Sequence, residues 1–193
     1  MISAIVLAAG RSIRMGSMKL VLPWGNSTVI GSVIATLLEA GLFDIYIVTG
    51  DNRKELEDAL QKFDLNFCTN PDYLHGEMLS SVRVGLQCLG DDSDAAMIVL
   101  GDQPQVEAEV VCAIMDRYQL TRNKIIVPSY KMHRGHPWLI DRSLWSELRD
   151  ITIDQTLRDY LSKEQENISY VNVNTASVIM DLDTPGDYQK YKP

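Results

Sequence analysis

The sequence predicts an α/β domain, a mostly parallel sheet with helices on both faces, and three observations carry that prediction. Short β-rich runs alternate with segments of helical spacing along nearly the whole chain, the pattern of right-handed strand–helix–strand crossovers. Three of the runs, Ser3–Leu7, Ile45–Thr49 and Ala96–Leu100, are almost continuously apolar, as strands covered on both faces are. Small and charged residues collect directly after several runs, where open α/β sheets bind their ligands.

Taken in order, Ser3–Leu7 is the first strand. Thr28–Ala40 has helical spacing and is stopped by Gly41. Ile45–Thr49, the helix Arg53–Lys62 and the strand Leu65–Thr69 follow, then the helix Met78–Cys88, the strand Ala96–Leu100, the helix Ala108–Gln119 and the strand Lys124–Val127. After Pro128 the rhythm loosens. SYKMHRGHPWLIDRS is expected to run as an excursion over one face of the sheet, before a helical patch through Leu144–Leu148. Ser169–Val173 and Val178–Leu182 are expected as the last strands. Thr184, Pro185 and Asp187 have the spacing of a capping box that starts a final helix.

The 193 residues suffice for one good core and are too few for two comfortable domains. No repeat, low-complexity tract or linker interrupts them, and no apolar run approaches the roughly 20 residues that span a bilayer. The basic residues near the N-terminus follow the apolar segment, the reverse of a signal peptide's order. Cys68, Cys88 and Cys112 form no CxxC pair and are expected to be reduced thiols in a cytoplasmic protein. A net charge of −8 argues against a nucleic-acid surface. Within that acidic chain, residues 1–38 carry Arg11, Arg14 and Lys19 and no acidic side chain, which reads as a site for a small anion.

The loop behind the first strand, Ala8–Lys19, fits neither common glycine-rich template. Gly10 is followed by Arg11 and Ser12, so the second glycine of GxGxxG is missing. Gly10 and Gly16 are one residue too far apart for a Walker A loop, and Ser17 stands in place of its lysine. What remains is a long loop whose small residues Ala8, Ala9 and Gly10 let backbone N–H groups approach an anion, with Arg14 and Lys19 spaced to reach its charges. A triphosphate suits such a loop better than a single phosphate.

Three further segments fall at strand ends. In MIVLGDQP, Asp102 can be a helix cap or a metal ligand. In IMDLDTPGDY, capping accounts for Thr184 and Asp187 and leaves Asp181 and Asp183, two positions apart and so on one face of a strand end. Carboxylates gathered beside a triphosphate point to magnesium. In HGEMLSSVRVGL, Ser80 and Ser81 sit in a first helical turn, where they can cap the helix or meet a base or ribose. His133 and His136 have no acidic or cysteine partner at zinc-site spacing.

These motifs together resemble a known family. LAAGRSIRMGSMK is similar to the LAAGxSxRMGxxK signature of the MobA-like nucleotidyltransferases. GDQP at 101–104, RGHP at 134–137 and DLDTPGDY at 181–188 resemble the later motifs of its molybdopterin (molybdenum cofactor) cytidylyltransferase branch. The resemblance runs over essentially the whole chain and implies a three-layer, Rossmann-like nucleotidyltransferase fold with a mixed sheet. It implies a nucleotide-binding part over about 1–105 and an acceptor-binding part over about 106–193. Leu7, Ala8, Ala9, Gly10, Arg11, Arg14 and Lys19 would hold the nucleotide, with Ser80 and Ser81 near the base. Asp102 would bind Mg2+ with Asp183, Asp181 standing in reserve, and Lys19, Arg14 and Asp102 would carry the catalysis. Gln103, Pro104, Arg134, Gly135, His136 and Pro137 would face the acceptor.

Ala9, where the guanylyl-transferring branch has glycine, implies CTP, and the acceptor implied is molybdopterin, with a molybdenum hydroxylase as the receiver of the cofactor. The chain departs from many relatives at Ile153 and Thr156, where glycines are usual. GTP or a sugar or alcohol phosphate as substrate, a nicotinamide oxidoreductase and a cofactor chaperone are the competing readings. The missing GxGxxG weighs against the oxidoreductase.

Overall fold

The computed structural model describes residues 1–10, 18–75, 77–151 and 156–193. Its centre is the first strand, β1 (Ile2–Leu7), which pairs in parallel with β4 (Ile45–Thr49) on one side and β6 (Ala95–Leu100) on the other. Ala4, Ile5 and Val6 are wholly buried there, which is why this run has no polar alternation. Between β1 and β4 come a 3-10 turn at Lys19–Val21, a small hairpin of β2 (Pro23–Trp24) and β3 (Ser27–Thr28), and α1 (Val29–Glu39). Thr28 caps α1 by accepting from the Gly31 N–H at 3.1 Å, and Gly41 follows it at φ 85°, a conformation that favours glycine. The helix buries Ile30, Val33, Ile34 and Leu37, each contributing about 1.5–3 kcal/mol.

The chain then adds α2 (Arg53–Leu60) and β5 (Asn66–Thr69), parallel to β4 at the sheet edge, and returns through α3 (Glu77–Cys88) to β6 beside β1. The reversal of direction across β1 is a topological switch, and it opens a crevice at the carboxyl ends of β1 and β6. Next come α4 (Ala108–Thr121) and β7 (Ile125–Tyr130), which turns at Lys131 and Met132, both at positive φ, into β8 (His133–Arg134). β9 (Trp138–Asp141) inserts between β6 and β7, antiparallel to both. A 3-10 turn, α5 (Trp145–Asp150), α6 (Leu157–Lys163), β10 (Ile168–Asn172), parallel to β7, a 3-10 turn at Ala176–Ile179 and α7 (Pro185–Tyr191) complete the order. The result is a mixed, mostly parallel sheet with an apolar core on each face. Among the described residues no helix is long and apolar enough to cross a membrane.

Three expectations are corrected. Trp138–Ile140 lies in a central strand and not in an excursion over the sheet, because its backbone pairs with both β6 and β7 while Leu139 is buried in the core on one face and Trp138 and Ile140 in the core on the other. Val178–Leu182 forms no strand. Its alternating apolar residues do bury Val178 and Leu182 fully, but Ala176–Ile179 winds into a 3-10 turn, and the segment's carbonyls accept from His136 N, the Gln105 side chain and the Lys19 ammonium. Asp181 and Asp183 therefore do not share a strand face. Finally, Cys68 on β5 and Cys88 at the end of α3 are joined as a disulfide with Cα atoms 6.7 Å apart, and only Cys112 is a free thiol. Folding brings the two together across 20 residues of sequence, which spacing alone does not reveal.

Candidate active site

The switch-point crevice is a cleft of about 790 Å3. One wall grows from the end of β1, where Leu7, Ala9 and Gly10 face the opening. Ala8 lies beneath it, buried, its N–H donating to Val48 O and its carbonyl accepting from the Asn52 side chain, both at 2.8 Å. Asn52 is itself tied to Gly50 N, so a buried amide clamps the start of the loop to the end of β4. Arg11 and Arg14, expected at the phosphates, lie outside the described residues.

Lys19 re-enters the cleft from the other end of that loop. Its Nζ lies 2.5 Å from Asp102 Oδ2 and 3.6 Å from Asp183 Oδ1, and it donates to Leu182 O at 3.1 Å. Asp102 is carried by the turn after β6. Gly101 lets that turn touch β1: its N–H donates to Leu7 O at 3.1 Å, and a Cβ there would come within 2.9 Å of the same oxygen. Asp181 has a different task. Gln103, 4% exposed, donates to Asp181 Oδ1 at 2.9 Å, and Gln105 donates to Met180 O, so the GDQPQ turn holds the segment on which Asp183 sits.

Two carboxylates already grip one cationic group, the Lys19 ammonium, which is the donor set a hard divalent cation takes beside phosphates. Among the described residues no three His, Cys, Asp or Glu side chains converge. A metal here would complete its shell with phosphate oxygens and water.

The opposite wall is the RGHP loop. Gly135 packs against Val178 so closely that a Cβ would overlap the Val178 carbonyl and side chain, and His136 N donates to the same carbonyl at 2.8 Å. His136 lies flat on Trp138, ring centroids 4.2 Å apart at 17°, and Trp138 Nε1 donates to Gly135 O. Burial pushes the His136 pKa down to about 4, so the ring is neutral at pH 7. Arg134 also lines the cleft, its Nε donating to the Tyr170 hydroxyl at 2.7 Å and its guanidinium resting over the Tyr170 ring. Pro137, joined to His136 by a cis peptide, and Pro104 are buried and hold these turns without lining the cleft.

By α3, where the base was expected, Ser81, Leu79, Met78 and Tyr73 line the cleft; Ser80 sits beside Ser81 without lining it. Leu157, Arg158 and Leu161 of α6 line the far end and were missed from the sequence, as were Trp138 and Tyr170. The signal was present for α6: Thr156 begins a capping box with Asp159, so its side chain has a local purpose where relatives carry glycine. Ile153 lies outside the described residues.

Residues 4–168 match the family described as the MobA-like NTP transferase domain. The chain is 27% identical over 189 residues to the molybdenum cofactor cytidylyltransferase of Escherichia coli (strain K12), covering 97% of this chain and 93% of that one. It is 24% identical to the nicotine blue oxidoreductase of Paenarthrobacter nicotinovorans, covering 95% of this chain and 92% of that one. Among solved structures, Rv0371c of Mycobacterium tuberculosis H37Rv superposes with a TM-score of 0.85 at 26% identity, over 98% of this chain and 96% of that one. A manganese complex of the same protein superposes with a TM-score of 0.81, over 99% and 97%.

Proposed function

The chain belongs to the MobA-like NTP transferase family, and on that footing we propose that it transfers CMP from CTP to the terminal phosphate of molybdopterin, with magnesium, releasing pyrophosphate. The observation that carries this reading is the Lys19 ammonium held between Asp102 and Asp183 in the cleft that Ala9 and Gly10 also line. The similarity to a cytidylyltransferase, together with Ala9 and GDQP, favours CTP over GTP.

No protein nucleophile is needed. An oxygen of the acceptor phosphate attacks the α-phosphorus in line, a new P–O bond forms, and the bond to the β-phosphate breaks as pyrophosphate departs. Backbone N–H groups at Ala9 and Gly10 and the cations Arg11, Arg14 and Lys19 hold the triphosphate. Lys19 then neutralises charge that develops on the transferred group. Asp102 and Asp183 would hold magnesium, which when bound draws charge from phosphate oxygens. The neutral His136 and the Tyr170-braced Arg134 take the acceptor, and Arg158 adds a second guanidinium at that end. The nucleotide is thus held mainly by residues of about 1–105 and the acceptor mainly by residues of about 106–193, with Asp183 reaching back to the metal end. We place the protein in the cytoplasm, where nucleoside triphosphates are supplied; the cysteines no longer argue for it. A molybdenum hydroxylase is the receiver we infer.

The test is pyrophosphate release with magnesium, molybdopterin and each nucleoside triphosphate in turn. Turnover with CTP is expected; turnover with GTP in its place overturns the branch. Silence with all four supports a redox protein on the same fold, which the similarity to the Paenarthrobacter oxidoreductase favours as second reading.

A further inference from the structure

Asn70 follows β5 directly and is 1% exposed, a buried amide that the transfer chemistry does not use. Its backbone N–H continues the β5 edge by donating to Thr49 O at 2.8 Å. Its side chain makes three contacts: Oδ1 accepts from the Asp72 backbone N–H at 2.9 Å, and Nδ2 donates to Ser80 Oγ at 2.8 Å and to Ser81 Oγ at 3.0 Å. The orientation of the amide follows from these partners. A backbone N–H can only donate, so the amide oxygen must face Asp72 and the NH2 group must face the serines.

That orientation fixes the polarity of Ser81. A hydroxyl has one proton and two lone pairs, and an amide hydrogen aimed at Oγ occupies a lone pair and keeps the hydroxyl proton away from that side. Ser81 is 5% exposed and lines the cleft, and among the described residues its hydrogen-bond partner is Asn70. Its proton is left for whatever enters between Tyr73, Met78 and Leu79.

We propose that Asn70 is a positioning residue that sets Ser81 as a hydrogen-bond donor to the nucleobase, so that the base pocket selects the acceptor edge of cytosine, O2 and N3. The inference rests on the CTP reading and deepens it. It makes nucleotide choice a matter of polarity set from behind the pocket wall. Asp72, which locks the amide, belongs to the turn that carries Tyr73 onto the cleft, so turn, amide and serine are one hydrogen-bonded unit. A donor meeting a matched acceptor in a buried site discriminates strongly, because a mismatched base leaves both polar groups unpaired.

Asn70→Asp tests the polarity at nearly constant shape. One carboxylate oxygen keeps the Asp72 contact, while the other can only accept, so both serine hydroxyls turn their protons toward it and Ser81 shows lone pairs to the base. The experiment measures binding of CTP, UTP, GTP and ATP in the presence of magnesium, without acceptor, to the wild type, N70D, S81A and the double variant, each checked for folding by thermal melting. An added negative charge weakens all four nucleotides alike, so the readout is the ratio of CTP affinity to UTP affinity, because uracil carries a donor at N3 where cytosine carries an acceptor. N70D is expected to lower that ratio at least about tenfold and S81A to lower it similarly, the size of one buried hydrogen bond lost or reversed. Adding N70D to S81A is expected to change the ratio no further, since Asn70 acts through Ser81. A wild type that prefers a purine nucleotide overturns both the CTP reading and this inference. A wild type that prefers CTP, with N70D retaining that preference or still shifting it in the S81A background, overturns the role of Asn70 alone.

Discussion

The ammonium of Lys19 sits 2.5 Å from Asp102 and 3.6 Å from Asp183, so one cation from the first loop joins two carboxylates from distant parts of the chain. On the proposed function, this lysine exchanges the carboxylates of the empty cleft for the phosphates of the nucleotide. Lys19→Ala is expected to cut turnover by about 10²–10³-fold with the melting behaviour of a folded protein retained. The same substitution removes the Lys19 ammonium from beside Asp102 and Asp183, so manganese binding in the absence of nucleotide is expected to tighten several-fold. Spin-resonance titration of free manganese reads this directly, and metal affinity that stays flat would show that Lys19 does not compete for the carboxylates.

The two candidate carboxylates near the C-terminus are separated by their partners. Asp183 touches Lys19, whereas Asp181 receives the Gln103 amide at 2.9 Å. Asp183→Asn is therefore expected to lower kcat about a hundredfold or more and to raise the magnesium concentration needed for half-maximal rate. Asp181→Asn, which retains a hydrogen-bonding amide beside Gln103, is expected to cost less than about tenfold. Equal losses in steady-state magnesium titrations would reject the division of roles.

Gly135→Ala would drive a methyl group into the carbonyl and side chain of Val178, and the RGHP loop has to shift to admit it. The expected cost is about 1–3 kcal/mol of stability. Because the shift moves Arg134 and His136 and leaves the first loop alone, KM for the acceptor should rise while KM for CTP stays near the wild-type value. Initial-rate measurements with each substrate varied in turn decide this; a rise confined to CTP contradicts the assignment of this wall to the acceptor.

The pH dependence of stability follows from His136. Its pKa falls from about 6.5 unfolded to about 4 folded, with burial as the main cause. Above pH 6.5 neither state binds the proton and the group contributes nothing. Between pH 6.5 and 4 the unfolded chain binds more protons than the folded one, so stability falls as pH falls, by at most about 3 kcal/mol. Urea unfolding from pH 7 to pH 4 should show a steeper decline for the wild type than for His136→Asn, the difference isolating this ring from the carboxylates that titrate nearby. Parallel curves would mean that His136 protonates as easily folded as unfolded.

Much of the cleft was legible in the sequence because its chemistry sits in short local patterns. An apolar run ending in Ala8, Ala9 and Gly10 is a strand running into a stretch of small residues wherever the strand lies, and Thr184 with Asp187 is a capping box whatever it packs against. What the sequence could not express was which groups would meet across the fold. Val178–Leu182 has the alternation of a strand, yet it begins in a 3-10 turn and its carbonyls meet His136, Gln105 and Lys19. Trp138–Asp141 has no feature that announces an antiparallel strand at the sheet's centre.

By itself, then, the sequence determined the layered α/β class, the small residues that end the first strand and the set of charged groups at the strand ends. Those depend on propensity, periodicity and capping within a few residues. The tertiary structure decided that Asp183 and not Asp181 faces Lys19, that Asn52 and Asn70 clamp the loops behind β1 and β5, and that Cys68 meets Cys88. Each of these is a contact made by a side chain with a group whose distance is fixed only once the strands have chosen their neighbours. A hydrogen bond is decided by tenths of an ångström, and a sequence pattern does not carry that information.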